Sequence, residues 1–262
     1  MALSLTWNLI LPIVVLGAVG QTPPVEGPNT PSPEDRVGAI LDALEKRGDG
    51  VRDIRCRLRL TEEDRVNLTK ADKSGSILFF ITEPNPHFLI HIEKSERDGV
   101  LGKQEWYLFD GRWLYETLER LKQVTKRPIA RPGEKLDLFD IERAPFPVPF
   151  GQKKDAILRN FEVSLSPPSP DDPPNSDHLI CKPRPDSRMY RKYDRLDFFI
   201  HRDLHLPGRI VVTKNGGHEI MTADFPDLSE KSINVGVKRE DFNPPPAWKK
   251  YKEVVETEET GG

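Results

Sequence analysis

The chain has 262 residues, of which 31% are charged and 36% apolar, and a formal net charge of −3. That length holds one all-β domain or two small ones, and the slightly acidic balance excludes the basic footprint of a nucleic-acid-binding protein. Much of the polarity lies in tails and proline-rich loops, which leaves enough apolar sequence for a globular core.

Residues 1–20 carry no charge and contain an apolar run ending in Ala18-Val19-Gly20, small residues suited to a cleavage site. This stretch reads as a signal peptide, although the usual Lys or Arg at its start is missing. Asn8 and Pro12 interrupt it, whereas a membrane span needs about 20 apolar residues. No Cys near Gly20 offers a lipid anchor, so a soluble exported chain is expected. Residues 21–31 are a polar, proline-rich linker that reads as disordered.

Ser32-Pro33-Glu34-Asp35 opens a helix: an N-cap, a Pro suited to the first helical position, then acids in the first turn. Val37, Ile40, Leu41 and Leu44 form its apolar stripe, and Gly48 or Gly50 ends it. Residues 54–61 alternate without a fault. Ile54, Cys56, Leu58 and Leu60 face one way; Arg55, Arg57 and Arg59 face the other. That is a strand with one buried and one wet face, and the arginine row reads as solvated rather than anion-binding. Ser74-Gly75-Ser76 begins a strand over residues 77–81, and Glu83-Pro84-Asn85-Pro86 breaks the chain. Phe88, Ile90 and Ile92 alternate next, with His87 and His91 on the opposite, outer face. No third ligand accompanies these two histidines.

Residues 105–127 carry the densest signal. Trp106, Tyr107, Leu108 and Phe109 run into Asp110-Gly111, and Arg112, Trp113, Leu114 and Tyr115 run out. Asp-Gly between aromatic-rich runs predicts a hairpin with a two-residue type I′ turn. Residues 131–150 are apolar but broken by proline. They cannot form a central strand and read as an irregular flap. Residues 152–160 suggest a short helix with Ala156, Ile157 and Phe161 inward. The proline- and aspartate-rich stretch 166–176 reads as a mobile loop within one sheet. Strands are expected at residues 179–181, 196–200, 209–214, 218–225 and 234–242, with Asn215-Gly216-Gly217 as a hairpin turn. Residues 249–262 form a charged tail expected to fray. The fold class is therefore mainly β with few helices, an α+β chain in which a long antiparallel sheet curls and leaves a concave face.

Chemistry-bearing signals are weak. His201-Arg202-Asp203-Leu204 with Asp224-Phe225 mimics the kinase HRD and DFG pair, but Gly208 and Pro226 stand where Asn and Gly belong. His201, Asp203 and His205 sit at a strand end before Leu206-Pro207, where ordinary loop polarity accounts for them better than a zinc site. No nucleophile–base constellation emerges, so no catalytic residue, metal or cofactor is assigned. Cys56 and Cys181 are either a disulfide or two buried thiols.

The order of these features resembles the LolA-like family of periplasmic lipoprotein carriers. The resemblance rests on Gly75-x-Ile77-x-Phe79, Pro84-Asn85 with Phe88, Phe109-Asp110-Gly111-x-x-Leu114-Tyr115, Lys122-Gln123-Val124, and Leu179 with Pro183. Asn215-Gly216-Gly217, Asn234 and Phe242-x-Pro244-Pro245 complete it. It implies an unclosed antiparallel β-barrel over residues 32–248, lidded by helix and loop, that takes acyl chains without covalent chemistry. The partners implied are an acylated lipoprotein or lipid, with membrane complexes as donor and acceptor, and the chain is expected to be a monomer. Ile54, Leu58, Phe88, Ile90, Trp106, Leu108, Trp113, Tyr115, Phe198 and Ile200 would line the groove, and Phe146, Val148 and Phe150 would cover it. One residue departs from the family: Glu83 stands where those carriers have a lid-latching Arg. That substitution favours a second reading, a binding or sensing domain for an envelope partner; a third, less favoured, is a metal-dependent hydrolase using His201, Asp203 and His205.

Overall fold

The computed structural model describes residues 31–135, 150 and 153–256. Helix α1 (Pro33–Asp49) starts at its cap: Ser32 Oγ accepts from the Asp35 amide at 3.1 Å, and the Asp35 carboxylate accepts from the Ser32 amide at 3.2 Å. This reciprocal pair satisfies two otherwise orphaned donors. Val37, Leu41 and Leu44 are buried, and Gly50 ends the helix. Among the described residues, no helix is long and apolar enough to cross a membrane.

The strands follow in order: β1 (Asp53–Asp64), β2 (Thr69–Phe80), β3 (His87–Arg97), β4 (Val100–Leu101), β5 (Glu105–Phe109), β6 (Trp113–Leu118) and β7 (Gln123–Pro128). Then come α2 (Lys154–Asn160), β8 (Phe161–Leu165), β9 (Ser176–Pro183), β10 (Arg195–His201), β11 (Pro207–Lys214), β12 (Glu219–Asp224) and β13 (Lys252–Val255). All thirteen belong to one unclosed sheet ordered β13-β7-β6-β5-β3-β2-β1-β12-β11-β10-β9-β8, with β4 beside β3. Pairing is antiparallel except between β13 and β7. The expected fold class, mainly β with an unclosed antiparallel sheet under a helix, is the one observed.

Several local expectations change. Strand β2 starts at Thr69, so Gly75 lies inside it at a register shift. A Cβ there would stand 1.8 Å from the His91 carbonyl oxygen, so the glycine serves close strand approach rather than strand initiation. The aromatic hairpin pairs Phe109 with Leu114, leaving a four-residue loop. Gly111 takes a φ of +91°, while the Asp110 carboxylate accepts from the amides of Arg112 (3.0 Å) and Trp113 (2.7 Å). That Asx-type capping replaces the type I′ turn.

Strand β8 lacked any reading in the sequence. Residues 234–242 form no strand: Asn234 instead binds the Arg52 amide (2.7 Å) and the Gly50 carbonyl (2.9 Å), and a 3-10 turn spans Arg239–Phe242. The tail does not fray throughout, because Lys252–Val255 pairs with β7. The 166–176 loop is held to the sheet. The Ser166 amide donates to the His178 carbonyl at 2.8 Å, and Arg209 donates to the Asp171 carbonyl at 3.2 Å. Cys56 and Cys181 are buried free thiols.

Candidate functional site: the inner face of the sheet

Register fixes which side chains share a face. Ile54 lies opposite Phe79, Phe79 opposite Phe88, and Phe88 opposite Phe109, because direct cross-strand partners point the same way. The inner face therefore carries Ile54, Cys56, Leu58 and Leu60 of β1, Ile77 and Phe79 of β2, and Phe88, Ile90 and Ile92 of β3. Phe109, Leu114, Leu179, Cys181, Phe198 and Ile200 extend it toward both ends. Six of the expected groove residues lie here: Ile54, Leu58, Phe88, Ile90, Phe198 and Ile200.

The other four do not. Trp106, Leu108 and Tyr115 pack on the opposite face with Val124, Val237, Phe242 and Trp248. Trp113 shares that outer face, since it lies two residues from Tyr115 on β6. The expectation grouped each pair correctly and assigned both to the wrong side. Strand β5 is apolar in both directions, so alternation alone does not say which set points inward. The inward set is Tyr107 and Phe109. Leu60, Ile77, Phe79, Ile92, Leu179 and Cys181 also line the inner face, although their alternation was visible in the sequence.

Among the described residues, α1, α2 and Phe150 lie over the inner face. Phe150 is fully buried, its ring 5.7 Å from that of Phe79 and 5.4 Å from that of Phe225. Phe146 and Val148, the other two expected cover residues, lie outside the described residues, as do residues 1–20 and 21–30. Beneath α1, between Leu41, Leu44, Ile157, Phe198 and Ile200, the free space is only about 10 Å³. That is room for at most one water, so no cavity separates α1 from β9 and β10. Burial pushes the Cys56 and Cys181 thiols far up from their ordinary range and holds them protonated.

Polar groups close the β5 end of the inner face. Lys73 Nζ stands 3.1 Å from both Glu62 and Glu105, and the Tyr107 hydroxyl donates to Glu105 at 3.0 Å. Burial pulls the Lys73 pKa down, but Glu105 and Glu62 push it up further, so the ammonium stays charged. Beyond Tyr107 lies an open trough of about 580 Å³ lined by Leu101, Glu116, Leu118 and Leu121.

Glu83 forms an ion pair with Lys135 at 3.4 Å, both side chains well exposed. Asn85, which is buried, donates to the carbonyls of Gly111 (2.9 Å) and Glu134 (2.7 Å). The break after β2 thus holds residues 134–135 of the proline-rich stretch through the Asn85 amide and the Glu83 carboxylate.

His87 is not an outer-face solvent residue. It is buried between Phe80 and Phe242, with ring centroids at 6.3 and 5.6 Å. His91 stacks on Trp106 at 3.5 Å. His201 Nδ1 accepts from the Asp203 and Leu204 amides at 3.2 and 3.3 Å, and Asp203 accepts from Asn175 at 2.7 Å. These contacts build a turn. Among the described residues, no group of three or more His, Cys, Asp or Glu is placed to hold a metal. The sequence reading passed over His178, whose Nε2 lies 2.7 Å from buried Asp197 and whose Nδ1 lies 3.6 Å from Asp172. Arg195 also donates to Asp197 at 2.7 Å. This network ties the 166–176 loop to β9 and β10.

No protein-family model matches the sequence, and no curated protein does. Solved structures match at low identity. An uncharacterized conserved protein from Thermus thermophilus is 12% identical over 84% of this chain and 99% of its own, with a TM-score of 0.42. A LolA superfamily protein from Nitrosomonas europaea is 12% identical over 78% and 97%, with a TM-score of 0.35. MucB of Pseudomonas aeruginosa, in its complex with MucA, is 11% identical over 81% and 62%, with a TM-score of 0.43. With every TM-score below 0.5, these likenesses assign neither function nor partner.

Proposed function

We propose that the protein is a non-catalytic, exported binding protein that takes the alkyl chain of an acylated protein or lipid on the inner face of its sheet. The observation that carries this reading is a continuous apolar face on an unclosed sheet, covered over β9 and β10 by a helix with three buried side chains. Surface ion pairs add little to that cover. Arg47–Glu230 (2.6 Å), Lys154–Asp42 (2.7 Å) and Lys153–Asp49 are each worth about 0–1 kcal/mol.

The magnitudes set a chain length. Val37, Leu41 and Leu44 hold α1 down with about 1.5–3 kcal/mol each, or roughly 5–9 in all. Each buried methylene contributes about 0.8 kcal/mol, so a chain of about fourteen contributes roughly 11. A long acyl chain therefore offsets displacement of α1, and a chain of about six methylenes does not. Export rests on the composition of residues 1–20.

Titration with fluorescent acyl probes of increasing length tests the reading. Binding should appear only with long chains, and Phe198→Ala or Ile200→Ala should weaken it more than Trp113→Ala. Equal binding of short and long chains, or none of either, would count against an alkyl site.

A further inference from the structure

The outer face of β6 and β7 carries two cations gathered on one aromatic ring. The Trp113 ring has the Arg112 guanidinium 5.2 Å from its centroid and the Lys126 ammonium 4.6 Å away. Lys126 also stands 5.2 Å from the Tyr115 ring. Neither cation has a carboxylate partner among the described residues, whereas neighbouring Arg127 pairs with Glu116 and Lys122 with Glu119. The nearby acids are largely occupied. Asp110 accepts from Arg112 and Trp113 amides and from the Tyr115 hydroxyl, and Glu119 holds Lys122 and Tyr251. Glu253 is exposed on β13 and is the one uncommitted acid bordering the patch among the described residues.

The C-terminal segment extends this surface. Trp248 packs 6.5 Å from Tyr115, and Lys249 and Lys250, which follow it, are exposed. Lys122 lies over the Tyr251 ring at 5.1 Å, and Val255 is half-exposed beside Lys126 in the sheet. Half-buried Trp and Tyr rings with an apolar body and a polar edge, interleaved with unpaired Lys and Arg, match the chemistry of a lipid interface. The rings suit the boundary between headgroup and acyl chain, and the cations suit lipid phosphates.

We infer that this face, centred on Trp113 with Arg112 and Lys126, docks the protein peripherally onto an anionic membrane surface. The surface is distinct from the inner face and stands whether or not the inner face takes an acyl chain. It orients the molecule with the outer face of β6–β7 against the bilayer and leaves α1 free on the other side of the sheet.

Vesicle sedimentation tests it, read as the ratio of partition onto phosphatidylglycerol-containing vesicles to partition onto neutral phosphatidylcholine vesicles. The full chain should favour the anionic vesicles and lose that preference as salt is raised. Arg112→Gln with Lys126→Gln should lower the ratio about twenty-five-fold, since each surface cation is worth roughly a factor of five. Trp113→Ala, which leaves both charges, should lower binding to a lesser degree and without changing its salt dependence. Inorganic phosphate or polyglutamate at matched ionic strength should not displace the protein. An unchanged ratio in the double variant would overturn the proposal, as would displacement by free phosphate, which would indicate an anion pocket, or by polyglutamate, which would indicate an acidic protein partner. Circular dichroism of each variant separates these results from misfolding.

Discussion

The two faces of the sheet are both covered, but by different chemistry. Among the described residues, the inner face buries Phe, Leu, Ile and Val side chains beneath α1, α2 and Phe150. The outer face at β5–β7 is covered by an extended strap in which Val237, Phe242, Trp248 and Tyr251 meet Trp106, Tyr115 and His91. The inner cluster has few polar atoms, so its contacts are non-directional and one alkyl group can replace another there. The outer cluster adds polar anchors, the Tyr115 hydroxyl on Asp110 and the Tyr251 hydroxyl on Glu119, so its arrangement is more specific. A face suited to exchange therefore lies opposite one suited to a fixed strap and a polar interface.

Truncations break that comparison most strongly. Phe79→Ala, at a fully buried inner position, should lower unfolding free energy by about 3–5 kcal/mol in denaturant titration. Trp248→Ala should lose about 3 kcal/mol, and it should also raise amide exchange in β13, which the strap delivers to β7. An equal loss of protection in β1 and β13 would show the strap to be part of the main core. Asn85→Ala leaves the Gly111 and Glu134 carbonyls without their donor and should cost about 1–3 kcal/mol.

A pH titration sharpens the comparison. Burial, with Arg239 secondary, holds the His87 pKa below its ordinary value. A histidine with a depressed folded pKa binds fewer protons folded than unfolded. Its contribution is present above about pH 6.5 and is lost as pH falls from there through the folded value. Stability should decline on mild acidification, and His87→Phe should remove that part of the decline. The smallest effect is expected at Trp113, half-exposed on the outer face. Trp113→Ala should cost only about 1 kcal/mol.

Much of this fold was legible in the sequence where the signal is local. Ser32-Pro33-Glu34-Asp35 marked the helix start, the faultless alternation of residues 54–60 marked β1, and Asn215-Gly216-Gly217 marked a turn. Pairing between distant segments was not legible. Lys252-Glu253-Val254-Val255 has no apolar period, and only β7 makes it a strand. Nor does alternation say which face is inward when both are covered. That is why Trp106, Leu108, Trp113 and Tyr115 were expected on the inner face, and why His87 read as exposed. The register Phe88 to Phe109 resolves the face and lies beyond what residue types reveal. How closely α1 sits on β9 and β10 is not encoded by helix periodicity.

On the proposed reading, a long alkyl chain enters the inner face by displacing α1. Hydrogen exchange of the full chain, with and without a saturating long-chain acyl ligand, tests it most directly. Faster exchange in α1, with unchanged or slower exchange in β9 and β10, is the expected result. Unchanged α1 exchange under saturating ligand would contradict it, because a space of about 10 Å³ holds no acyl chain while that helix stays in place.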